Sequence, residues 1–106
     1  MATPKKDPTV TTFNKKEAEK LVERMKEGTE DYDLVVLVFS VSMNAAGLIL
    51  GYMGTRYLRE MARDLEKQVK KMASNDLLVI TTTWKYVNHG KNNGFVPNKV
   101  EYGITG

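Results

Sequence analysis

The stretch "DLVVLVFSVSMNAAGLILGYMGTR", Asp33 to Arg56, carries no charged side chain between its two ends. A bilayer crossing needs about 20 apolar residues, so length alone permits a span over residues 34–55. Three features favour a buried strand that turns directly into a helix. Ser40, Ser42 and Asn44 sit near the middle, where polar groups are most costly in lipid. The first part, "LVVLVFSV", is rich in β-branched residues, whereas the second carries Gly and Ala. The apolar face of the second part also continues at helical spacing past Arg56 to Met72, as in one amphipathic helix of a globular domain. The expectation is therefore strand, tight turn around Met43, helix, with a single membrane span over 34–55 as the competing reading.

Working outward, "LLVITTTWKYVN" reads as a second strand and "FVPNKVEYGIT" as a third, joined by the turn "HGKNNG" with Gly90 and Gly94 as its flexible points. Pro97 has no amide proton, which places the third strand at an edge. A helix between the first two strands implies a parallel pair with a right-handed crossover. Upstream, "FNKKEAEKLVERMKEG" has a capping box in Asn14 and Glu17, an apolar face in Ala18, Leu21, Val22 and Met25, and a stop at Gly28. The predicted fold class is α/β (α+β). It is a single small domain over residues 13–106 in the order α-β-α-β-β, a mixed three-stranded sheet packed by one short and one long helix. Residues 1–12 are expected to form a flexible N-terminal arm.

Composition narrows the chemistry. The 106 residues contain no cysteine, which removes disulfides, thiolate nucleophiles and Cys-ligated metals. With no apolar leader at the N-terminus, this suggests an intracellular, cytoplasmic protein. Lys and Arg number 16 against 13 Asp and Glu. Residues 1–53 hold seven basic and eight acidic side chains and residues 54–106 nine and five, so an anionic partner should meet the second half.

The long helix, read over 44–73, separates into faces. Gly47, Gly51, Gly54, Leu58, Met61, Leu65, Val69 and Met72 fall on one side at about 100° per residue. Opposite them Tyr52, Arg56, Arg59, Arg63, Lys67 and Lys70 form a basic stripe suited to nucleic-acid phosphates or an acidic protein surface. Glu60 and Glu66 flank it, so a plain solvated face is the simpler account of the stripe. The glycines suit either a partner helix or close packing on the chain's own sheet. Leu48, Ile49, Leu50 and Met53 make the first turns apolar nearly all round, which predicts self-association into a homo-oligomer.

The turn "FSVSMNAAG" lies where the expected strand ends and the helix begins. Ser40, Ser42, Asn44 and Gly47 would there offer hydrogen bonds and close approach to a small anion, such as a nucleotide. Helix capping explains the same residues without a ligand. In the hairpin, Trp84 and Tyr86 share a face with Leu78 and Ile80, as core residues would. His89 is the single histidine, in a turn, and Glu30, Asp31, Asp33 and Asp76 precede strands as ordinary loop acids. No nucleophile, base and orienter assemble, and no metal or cofactor is implied. The readings are a non-enzymatic protein that engages an anionic macromolecule through the helix stripe, or a small-anion binder using 40–47.

Overall fold

The computed structural model describes residues 4–27, 31–89 and 92–106. Gly28, Glu30, Gly90 and Lys91 lie outside the described residues, and so do the expectations placed on them. The elements run β1 (Thr9–Asn14), α1 (Lys15–Glu27), α2 (Tyr32–Phe39), α3 (Met43–Val69), β2 (Leu77–His89) and β3 (Asn92–Thr105). The class is α+β, with helices packed on a three-stranded sheet of order β1-β2-β3. The sheet is antiparallel throughout rather than mixed, and a strand stands first, so the order is not α-β-α-β-β.

The largest departure falls within the opening stretch. Residues 32–39 are helical, not extended. Asp31 caps this helix, its Oδ1 accepting from the Leu34 amide at 3.0 Å, and Arg24 of α1 holds its Oδ2 at 2.5 Å. Leu34, Val35, Val38 and Phe39 are all buried, the i, i+1, i+4, i+5 pattern of one helix face. Each valine costs only a few tenths of a kcal/mol in helix propensity, with the whole scale spanning about 0.7 for ordinary residues. Burying each large apolar side chain returns about 1.5–3 kcal/mol. Packing therefore overrides β-branching. The helix ends at Ser40, whose left-handed backbone (φ 55°, ψ 49°) lets its amide donate to the Val36 carbonyl at 2.9 Å.

Ser42 then caps α3, accepting from the Ala45 amide at 3.3 Å. The chain turns sharply at this corner: α2 and the first part of α3 are bent by 102°. No single described helix is long and apolar enough to cross a membrane, though this bent pair is so by length and composition.

The second departure is β1. Thr9–Thr12, expected in the arm, extend into a strand that pairs with β2 from Thr9↔Thr82 to Asn14↔Leu77. Phe13 is buried beneath the helices, and the Thr11 hydroxyl donates to the Val38 carbonyl at 3.0 Å, tying β1 to α2. The capping box follows as expected: the Glu17 amide donates to Asn14 Oδ1 at 2.8 Å, and the Asn14 amide to Glu17 Oε1 at 2.9 Å.

The third is a break inside α3. Gly54 has φ 74° and ψ 172°, a backbone region open essentially to glycine alone. It resets the phase of the helix. Beyond it Leu58, Met61, Leu65 and Val69 are buried, as the periodicity predicts. Before it the buried residues are Ala46, Ile49 and Leu50, not Gly47 and Gly51. Two residues assigned to self-association, Ile49 and Leu50, are thus covered by the chain's own core, while Leu48 and Met53 are half-buried.

The helices cover one face of the sheet, over Phe13, Leu78 and Ile80. The other face carries Val10, Thr12, Lys99 and Glu101, all exposed. β2 and β3 outrun β1: the β1 ladder stops at Thr82, while the β2–β3 ladder continues to His89↔Asn92 after a register shift at Thr83/Trp84.

Candidate functional site: a groove between helix and hairpin

The far end of the β2–β3 hairpin leans against the first half of α3. They meet at Gly94, where a Cβ would lie 2.5 Å from Leu48 Cδ2. A side chain here would push the Leu48 methyl aside, so glycine eases the close approach of the two elements. Beside this contact the elements part and leave an open groove of about 910 Å³.

Each wall has a distinct origin. The α2–α3 corner supplies Ser40 and Ser42, and the first turns of α3 supply Asn44 and Gly47. These are the four residues that sequence reasoning assigned to a small anion, and the structure brings all four to one groove. Two of them also have structural duties, Ser42 as the α3 cap and Ser40 as the left-handed end of α2.

Sequence reasoning put the opposite wall's Trp84 in the core, with base stacking as the weaker alternative. Trp84 and Phe95 line the groove from the hairpin, and Lys6 reaches it from the segment before β1. Trp84 is held on several sides: its indole Nε1 donates to Thr9 Oγ1 at 3.1 Å, the Phe39 ring meets it edge-on at 6.0 Å, and Lys6 Nζ lies 5.6 Å from its centroid. Phe95 stands edge-on to Tyr86 at 5.5 Å. The alternation of aromatic and basic groups in "TWKY" was the available signal. It was outweighed by the expectation that Trp84 faces the core, and Trp84 is in fact half-buried.

Tyr52 changes company. It was grouped with the basic stripe, but it lines the groove with its ring under Lys85 Nζ, 5.5 Å from the centroid. The preceding residue on α3, Gly51, also lines the groove, and nothing lies within 4 Å of where its Cβ would be. Gly47 instead sits against the Tyr32 ring, 3.6 Å from a would-be Cβ. The small residues of α3 therefore serve the groove, the Tyr32 contact and the break rather than one continuous track.

Among the described residues no carboxylate lines the groove, and two lysine ammonium groups lie over its aromatic rings. The groove opens beside the α3 N-terminus, where helix amides carry partial positive charge. Its electrostatic character is cationic, and three aromatic rings, Tyr52, Trp84 and Phe95, stand among small and polar side chains in its lining.

No protein-family model, curated protein or solved structure matches this chain.

The remaining stripe residues lie on the second half of α3. Arg56, Arg59, Arg63, Lys67 and Lys70 are all exposed. Arg56 lies 3.5 Å from Glu60 and Lys70 3.8 Å from Glu66, a carboxylate that also pairs with Lys26 of α1. Arg59, Arg63 and Lys67 hold no ion pair among the described residues. Of the described acids expected before strands, Asp31 caps α2 and Asp76 accepts from the Ala73 amide at 2.7 Å, while Asp33 is exposed in the first turn of α2.

Proposed function

We propose that this chain is a non-enzymatic binding protein whose groove holds an anionic ligand with a flat apolar body. The observation that carries this reading is the composition of one cavity: Tyr52, Trp84 and Phe95 on its walls, Lys6 at its edge, and no carboxylate among its described lining. The volume of about 910 Å³ falls in the range of small-ligand sites. Aromatic walls favour a planar group, and the lysines with the α3 N-terminus favour negative charge. Ser40, Ser42 and Asn44 supply the hydrogen-bonding groups that would set orientation.

The test is a thermal-shift screen of planar anions against the wild-type chain and Gly51→Leu. That substitution fills the groove from a position with open space around it. The expected result is a concentration-dependent rise in Tm for at least one compound, absent in Gly51→Leu. A flat screen, or an equal shift in the variant, rejects the reading.

A second reading is supported by Arg59, Arg63 and Lys67 on one exposed helix face, without an ion pair among the described residues, which would engage an anionic macromolecule. Counterion release makes phosphate binding fall steeply with salt. Arg59→Glu with Arg63→Glu should abolish such binding. Affinity that ignores both salt and these substitutions removes it.

A further inference from the structure

We infer that the ligand of the groove is a nucleotide unit, a heterocyclic base bearing phosphate. This rests on the groove reading above and adds the chemical class. Every base has a π-face, and aromatic side chains stack on it with little regard to sequence. Tyr52 and Trp84 line the groove from opposite walls, one on α3 and one on β2. Both rings are already partnered by cations, Tyr52 by Lys85 and Trp84 by Lys6. A base that stacks on the cation-bearing face of either ring takes the place of the ammonium group and frees it for the phosphate. An aromatic ligand without phosphate leaves the lysines unused, and inorganic phosphate leaves the rings unused. The absence of carboxylates from the described lining removes the repulsion that would otherwise oppose phosphate.

Free nucleotides and single-stranded nucleic acid share this chemistry. A strand that leaves the groove along α3 would in addition meet the exposed arginines that begin at Arg56, beyond the break at Gly54.

Trp84 is the one tryptophan in the chain, so its fluorescence reports on the groove directly. The full chain is titrated with adenosine monophosphate, adenosine, inorganic phosphate, oligodeoxyadenylate and heparin, a base-free polyanion. The expected result is saturable quenching by the monophosphate and the oligonucleotide, weaker quenching by adenosine, and none by phosphate. Tyr52→Leu should weaken binding by about 5- to 150-fold, the range of one base–aromatic stack, and Tyr52→Phe should restore it. Tighter binding of the oligonucleotide that Arg59→Glu with Arg63→Glu reduces to the level of the monophosphate identifies a strand as the source. Equal affinities, indifferent to those arginines, identify the free nucleotide. Heparin quenching as well as the oligonucleotide, or Tyr52→Leu binding as tightly as wild type, overturns the inference by reducing it to charge. If planar anions without a base give thermal shifts that Gly51→Leu removes, while no nucleotide quenches Trp84, the groove reading stands and the nucleotide assignment falls.

Discussion

At the scale of single residues, a few positions carry the departures from the expected fold. Asp31 is partly buried, which by itself raises a carboxyl pKa. The Leu34 amide and the Arg24 guanidinium outweigh that and hold it below the usual value of 3.8. A carboxyl lowered in the folded chain contributes stability that is present above its unfolded pKa and lost as pH falls through the folded one. Asp31→Asn keeps a capping side chain but no charge. Wild-type urea midpoints should therefore drop more steeply than those of Asp31→Asn once the pH passes below about 4. Parallel curves would show that the cap and the Arg24 pair have no electrostatic share in stability. The glycines of α3 make an opposed pair. Gly54→Ala forces a side chain into a glycine-only backbone region and should cost about 1–3 kcal/mol. Gly51→Ala, at an exposed helical site with open space, should stabilise by up to about 1 kcal/mol. Chemical denaturation of both variants checks the two signs.

At the scale of elements, legibility followed the strength of local signals. α1 could be read because its capping box and its four buried positions agree. β2 and β3 could be read because β-branched and aromatic residues cluster around a recognisable turn. Residues 32–39 could not, since a short run that is apolar on every side has no period to distinguish strand from buried helix. What decides it is the Asp31 cap and the four side chains that share one face, and only the first of these is local. β1 was passed over because "TVTTFN" is short and follows two prolines, although Thr11 and Phe13 alternate inward as a strand's residues should. The break at Gly54 was hidden by the periodicity on either side of it. The same partition holds in the groove. The α3 wall is contiguous in sequence and was found, while the hairpin wall is brought to it only by tertiary packing. The consequence for β1 can be measured. Removing residues 1–14 takes away Phe13, worth about 3–5 kcal/mol by analogy with large core truncations, and should unfold the chain. Removing residues 1–7 spares β1 and should leave circular dichroism unchanged. A folded 15–106 fragment would show that β1 is dispensable.

At the scale of the whole molecule, the helices sit on one side of a sheet and threonines with a Lys99–Glu101 pair at 2.9 Å occupy the other. The molecule measures 47 × 28 × 19 Å. Its length matches the 13 residues of β2, about 43 Å at 3.3 Å each. Large apolar side chains also remain exposed near the α2–α3 corner, Leu37 at 49% and Met43 at 55%. Leu37→Lys and Met43→Lys should each change stability by less than about 0.5 kcal/mol, because neither side chain belongs to the buried core.

The unequal lengths of β1 and β2 carry a dynamic consequence. Amides of residues 77–82 sit in a strand flanked on both sides, whereas those of 84–89 belong to a ribbon of two. A single strand should accordingly show a gradient of deuterium uptake, slow at its first half and quicker by orders of magnitude at its second. The ribbon end carries Phe95 and Gly94, so the hairpin side of the groove should loosen there while Trp84 stays anchored to Thr9.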